Sequence, residues 1–262
     1  MYTIRASSLG ELFDCPARWE AKNINHMYMP SNGKAQLGTA IHASTAVFDQ
    51  SALDGSGITI DDAASAAVDA IYHPEYDVDW GEDSQKDAEK IAVSLHKKYC
   101  STESPKRNYY AVEVRCDRLE ITDVGLALTG TTDRIELTEN GYGIRDIKTG
   151  KQAVGADGTV NTKGHAYQIG VYELLAEFGA GVNITADAEI IGLNTAKTDA
   201  AQRIGKGRVN GAREVLLGDE DSPGILHTAS KIIHSGVFWG NPKSMLCHKQ
   251  YCPKYNICSY RK

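Results

Sequence analysis

The apolar residues of this chain begin at helical spacing, switch to strict alternation near Tyr109, and return to helical spacing after Gly164. In the first region, Ser8 stands three residues before Glu11, a capping-box spacing that predicts a helix through Leu12, Phe13, Ala17 and Trp19. Cys15-Pro16 interrupts it. A proline inside a helix costs about 3 kcal/mol, so the helix either breaks at Cys15 or begins near Pro16. After a turn at Met29 to Gly33, a second helix is predicted over Leu37 to Phe48, with His42 on one face with Gly38, Thr45 and Ala46. Further helical pieces fall at Asp61 to Ile71 and Ser84 to Cys100, separated by a loop through His73-Pro74-Glu75-Tyr76.

From Tyr109, the residues Tyr110, Val112, Val114 and Cys116 alternate with Ala111, Glu113, Arg115 and Asp117, the pattern of a half-buried strand. Two more strands follow, Leu126 to Leu137 and Tyr142 to Lys148, with Asn140-Gly141 between them as a hairpin signal. If Asn140 and Gly141 are the two turn residues, Asp133 faces Lys148 and Ile135 faces Asp146. Thr131, Asp133, Ile135, Leu137, Ile144, Asp146 and Lys148 then share one face, and Ile147 points the other way. Asp133 and Asp146 become diagonal neighbours, roughly 7 to 8 Å apart. A slip of one residue would destroy the arrangement.

Beyond Gly150 runs a loop through Gly155, Gly158 and Gly164, then a helix with His165, Gln168 and Tyr172 on one face. A strand over Ala186 to Leu193 extends the sheet. The basic, Gly-rich Lys197 to Arg213 reads as either a phosphate-contacting flap or a mobile loop, and a helix is expected near Leu226 to His234. The pattern as a whole predicts an α/β fold in which a central mixed sheet is flanked by helices.

At 262 residues, 42% of them hydrophobic, the chain can bury a sizeable core. No apolar run approaches the roughly 20 residues that span a bilayer, and no leader pattern opens the chain, so a cytoplasmic protein is expected, bacterial or in a host cell if phage-encoded. The net charge of −6 argues against a nucleic-acid partner until its distribution is considered. Asp49 to Lys90 holds twelve acids against Lys86 and Lys90, a balance of −10, which leaves +4 on the rest of the chain. Asn241 to Lys262 has no acid, and interleaves Lys243, Lys249, Lys254, Arg261 and Lys262 with Tyr251, Tyr255 and Tyr260. That mixture suits either a strand-tracking surface or solvated packing. The expected organisation is one domain over 1–262, with an acidic helical insertion or cap at 49–100 and a cysteine-rich tail at 241–262.

Six cysteines in a reduced compartment point to metal or catalysis before disulfides. Cys247, Cys252 and Cys258 fall within twelve residues, and a site of this kind wants four ligands. Cys15 is the best fourth, because Cys15-Pro16 repeats Cys252-Pro253, with His248 a weaker alternative. Zinc and an iron–sulfur cluster both remain open. Cys100 and Cys116 suit buried thiols acting as small hydrophobes.

Taken in order, Cys15-Pro16, Gly38-Thr39-Ala40-Ile41-His42, Gly130-Thr131-Thr132-Asp133, Asp146-Ile147-Lys148-Thr149-Gly150, His165-Ala166-Tyr167-Gln168 with Tyr172, and the tail cysteines resemble the RecB-type iron–sulfur branch of the PD-(D/E)XK nuclease superfamily. That branch includes CRISPR-adaptation nucleases, AddB-type subunits and phage recombination exonucleases. The resemblance implies a restriction-endonuclease-like core. It assigns divalent metal, Mg²⁺ or Mn²⁺, to His42, Asp133, Asp146 and the backbone carbonyl of Ile147. Lys148 is then the lysine that positions water and stabilises phosphate charge, Gln168 and Tyr172 line the site, and Cys15, Cys247, Cys252 and Cys258 hold a 4Fe–4S cluster. The gap of four residues between Cys247 and Cys252 departs from the two that relatives often carry. Glu113 reads as either an outer-shell group or a surface acid. The function implied is an exonuclease on DNA ends or single strands in recombination, repair or phage DNA processing, working as a homo-oligomer or with a recombination-protein partner. The alternative is a non-catalytic DNA-binding or assembly module.

Overall fold

The computed structural model describes residues 1–261; Lys262 of the basic tail lies outside them. The first strand, β1 (Tyr2–Arg5), leads into α1 (Leu9–Asp14) and α2 (Pro16–Asn23). The two helices are separated at Cys15, whose extended φ of −151° makes it the N-cap of α2 with Pro16 as first residue. Proline is tolerated there because that position has no intrahelical N–H bond to lose. Ser8 does precede α1, but the expected capping box does not form: the Ser8 hydroxyl donates to the Arg5 carbonyl, and Glu11 pairs with Lys22 at 2.8 Å.

The strand β2 (Ser31–Asn32) precedes α3 (Gly33–Asp54), a longer helix than the periodicity predicts, capped by the Asn32 side chain. Then come α4 (Ile60–Tyr72), β3 (Val78–Asp79), which pairs with β2, and α5 (Gln85–Thr102). Thr59 and Ser84 cap α4 and α5 through their side chains. The main sheet follows with β4 (Tyr109–Ile121), β5 (Leu126–Thr138) and β6 (Gly141–Gly150), then α6 (Ala166–Ala180), β7 (Ala188–Asn194), β8 (Ile204–Val209), α7 (Ala212–Leu217) and α8 (Ile225–Ser235). The mixed sheet flanked by helices is the architecture that the sequence predicts.

Two layers cover the sheet. Leu128, Ile135, Ile144 and Ile190 face α1, α2, α6, α7 and α8, while Ile147, Ile191 and Leu193 face α3, α4 and α5. The long β5 organises the rest. One edge pairs with β4, and the other is shared: β1 runs parallel to Leu126–Thr129, and β6 runs antiparallel to Arg134–Thr138. Between Thr129 and Arg134 that second edge forks open.

The hairpin register differs from expectation. Thr138 pairs with Gly141 and Ile135 with Ile144, so the turn residues are Glu139-Asn140 and the ladder is displaced by two. Gly141 alone in the turn has positive φ, at 102°, which fits a turn closed by a glycine bulge better than the type I′ turn that needs two such residues. A displacement of two keeps every side chain on its expected face. Continued past Arg134–Arg145, this register sets Asp133 against Asp146 rather than Lys148.

Lys197 to Arg213 is not a flap: it contains β8, the edge strand beside β7. Its glycines mislead because they serve packing. A Cβ on Gly205 would come within 2.6 Å of the Gly158 carbonyl and one on Gly207 within 2.6 Å of Thr162, so bare backbone lets the Gly-rich loop lie flat on the strand.

Candidate active site

The fork in the sheet is where the chemistry gathers. Asp133 sits at its apex, and with no ladder partner there its carboxylate takes the role of one: Oδ2 accepts the Ile147 N–H at 2.8 Å. This fixes Asp133 against β6 and pins the residue between Asp146 and Lys148. From the other layer, α3 approaches β6 closely at Gly38, where a Cβ would lie 2.8 Å from Thr149 Oγ1. One turn on, His42 Nδ1 reaches to 3.5 Å from Asp133 Oδ2.

Glu113 completes the group. It has φ of +51° in the middle of β4, a left-handed conformation that costs of order 1 to 3 kcal/mol for a residue with a side chain. Alternation breaks at that point: Ala111 and Val114 pack on the same core, and Tyr110, expected on the apolar face, is exposed. In return the Glu113 carboxylate turns toward the fork. Ligand atoms of His42, Glu113 and Asp133 all lie within 4.8 Å of one another, close enough to share one ion. Periodicity carries no sign of the left-handed kink, so the sequence leaves Glu113 undecided between surface and site.

Asp146 stands outside this three-residue group but beside it. It is buried, and Lys148 Nζ donates to its Oδ1 at 3.0 Å. The other oxygen, Oδ2, lies 2.7 Å from Nζ without hydrogen-bond geometry and has no other partner. An imidazole and two carboxylates within reach of one ion, with a third carboxylate held beside them by Lys148, fit a hard divalent cation. The electrostatics agree. Burial pushes the Asp146 carboxyl above its ordinary range, with Lys148 opposing and Asp133 adding to the rise. Burial and then Asp133 push Glu113 up to about 7 against the pull of Arg134. Carboxylates held in this state are relieved by a cation.

The α6 layer supplies the remaining wall. Gln168 Nε2 donates to the Tyr172 hydroxyl at 2.8 Å, and burial, then Asp133 and Asp146, drive the Tyr172 hydroxyl well up. His165 caps α6 rather than lying within it, and burial and Lys148 lower its pKa. Beneath the site, buried Arg134 donates to the Asp133 carbonyl at 2.8 Å and to Glu113 Oε1 at 3.1 Å, and its own charge is answered by buried Asp49 at 2.8 Å.

Away from this group, Cys15, Cys247, Cys252 and Cys258 line one cavity, together with Arg18, Asn241 and Tyr255. The Asn241 N–H donates to Cys15 Sγ at 3.4 Å. His248 is not among the lining residues. Cys100 and Cys116 are buried in the two cores.

No curated protein matches the chain. The family model of the PD-(D/E)XK nuclease superfamily matches residues 4–259, a span that takes in the fork and the four cysteines of the cavity. Fold, fork and carboxylate–histidine group agree with that match: the chain belongs to the PD-(D/E)XK nuclease superfamily.

Proposed function

We propose that this nuclease is a Mg²⁺- or Mn²⁺-dependent exonuclease acting on DNA ends or single strands, in the RecB-type iron–sulfur branch, and that it serves recombination, repair or phage DNA processing in the cytoplasm. The observation that carries the reading is the convergence of His42, Glu113 and Asp133 within 4.8 Å beside the Asp146–Lys148 pair. His42, Asp133 and Asp146, with Glu113, are the residues that would hold the ion, and the carbonyl of Ile147 is adjacent. Bound there, a divalent cation polarises the phosphodiester and lowers the pKa of water. Lys148, tethered by Asp146 and about one-quarter exposed, is placed to donate to water or to a phosphate oxygen. Gln168 and Tyr172 hold each other against the site and exclude bulk water from its α6 side.

No helix among the described residues is long and apolar enough to cross a membrane. In the tail, Lys254 is paired with Glu20 at 2.7 Å and Arg261 lies over Tyr255, which among the described residues of the tail leaves Lys243 and Lys249 as the basic groups best placed for a strand. We assign the four-cysteine cavity to an iron–sulfur cluster. All four of the cysteines that the resemblance assigns to such a cluster line it, and no other cysteine does.

The test is metal-dependent degradation of end-labelled single- and double-stranded DNA with each end blocked in turn. Asp146→Ala is expected to abolish cleavage and leave the circular dichroism spectrum unchanged. Full activity in that variant refutes the assignment.

A further inference from the structure

Arg18 is 7% exposed, yet its protein contacts leave its charge half answered. Nε donates to the Tyr251 carbonyl at 3.2 Å, and Nη2 lies 3.6 Å from Glu11 Oε1, an acid that Lys22 holds more closely. Nη1 is buried with no hydrogen-bond partner. A buried donor with nothing to donate to is costly, and more so on a charged group. The side chain lines the cavity of Cys15, Cys247, Cys252 and Cys258. Other polar residues of that lining are committed elsewhere: Asn241 Nδ2 donates to the Asp14 carbonyl, Ser244 to the Asp14 carboxylate, and Lys254 to Glu20. Arg18 is therefore the cation of the lining left to face the sulfurs.

We propose that Arg18 compensates the charge of the iron–sulfur cluster, donating from Nη1 to cluster or cysteine sulfur and raising the cluster's reduction potential. The inference rests on the cluster reading above. A core ligated by four thiolates is net negative and becomes more so on reduction. A fixed positive charge beside it, shielded from water, stabilises the reduced form more than the oxidised one. Hydrogen bonds to the sulfurs act in the same direction, and the Asn241 N–H already supplies one at Cys15. Arg18 is a positioning residue for the cofactor and does not touch DNA or the metal centre.

The test uses the full chain, expressed with iron and purified without oxygen. Visible absorbance gives cluster content, and potentiometric titration followed by electron paramagnetic resonance gives the midpoint. Arg18→Gln is expected to shift the oxidised-to-reduced ratio at fixed potential at least tenfold toward oxidised, 59 mV for a one-electron couple. Arg18→Lys, which keeps the charge and loses the planar fork, is expected to recover most of that shift. A brown wild type whose potential is the same in both variants overturns the inference and leaves the cluster standing. A colourless, zinc-loaded wild type overturns the cluster reading and the inference together. If Arg18→Gln retains no cluster, Arg18→Lys decides: a cluster retained at close to the wild-type potential supports the charge role, and loss of the cluster in that variant too, or a potential lowered by 59 mV or more, overturns it.

Discussion

Removing either partner of the Asp49–Arg134 pair should be among the most damaging single changes outside the site itself. Both residues are fully buried, Arg134 Nε donates to Asp49 Oδ2 at 2.8 Å, and Tyr99 and Ser104 donate to the same carboxylate. Burial works against the Arg134 charge, but Asp49 outweighs it and, with Tyr99 and Asp133, holds the guanidinium ionised. Arg134→Met leaves Asp49 as an uncompensated buried charge, at about 3 to 5 kcal/mol, and Asp49→Leu leaves Arg134 with Glu113 as its remaining carboxylate, at about 3 kcal/mol. For a chain of this length that lowers Tm by roughly 10 °C. The double variant should cost less than the sum, by on the order of 2 kcal/mol, because two buried charges leave together. It should not reach wild type, since the Tyr99 and Ser104 hydroxyls and the Asp133 carbonyl lose partners at about 1 kcal/mol each. Urea denaturation of the four proteins measures the cycle. Because Arg134 also holds Glu113 and Asp133, Arg134→Met should lose metal-dependent cleavage even at temperatures where it is fully folded, whereas Tyr99→Phe should keep it. Single variants within about 1 kcal/mol of wild type, or a strictly additive double, would refute the reasoning.

Lys148→Met should slow cleavage at saturating metal by at least about a hundredfold, the scale of one lost oxyanion donor, while Mn²⁺ binding followed by resonance persists; an unchanged rate removes the lysine from the mechanism. Gly170→Ala places a Cβ 2.5 Å from the Ala212 carbonyl and should destabilise α6 against α7 by about 1 to 3 kcal/mol, whereas Gly10→Ala, with open space around it, should gain up to about 1 kcal/mol in α1. Equal effects in thermal melts would show that close approach is not what keeps glycine at position 170. Burial, opposed by Arg213 and helped by Glu214, pushes the Glu173 carboxyl up to about 7. Its folded pKa is above its unfolded one, so the native state holds the extra proton and stability falls as pH rises from about 4.5 to 7. Glu173→Gln should therefore gain on wild type by on the order of 2 kcal/mol between pH 5 and pH 8, and a pH-independent difference in Tm contradicts the assignment.

Alternation made β4, β5 and β6 legible, and the helical spacing located α3, α4, α5 and α8. What escaped has physical causes. The hairpin ladder is displaced by two because Gly141 closes the turn as a bulge, and Asn-Gly alone does not say which turn it makes. The face shared by Asp133 and Asp146 survives because strand periodicity is two, so even displacements are harmless. β8 was hidden by glycines whose purpose is to let a loop lie on it. Glu113 was hidden by its backbone, since side-chain pattern cannot report a φ of +51°.

One of these exceptions, Glu113, falls at the site, and the sheet explains how the site is assembled. A regular β5 with one partner along its whole edge would have used the Ile147 N–H in a ladder bond. By sharing that edge between β1 and β6, the fold leaves a gap in which the Asp133 side chain substitutes for backbone. The same gap lets His42 of α3 reach a residue that shares its sheet face with Tyr172 of α6, so groups from both layers meet at one point. Glu113 can join them only from a left-handed conformation, and Arg134 with Asp49 beneath it is what holds that conformation in place. The carboxylates are thus gathered by backbone irregularity and kept there by a buried cation. That division explains why the three acids of the site come from β4, β5 and β6, while the cation that holds Glu113 and Asp133 is itself anchored from the helices, by Asp49 of α3 and, through it, Tyr99 of α5.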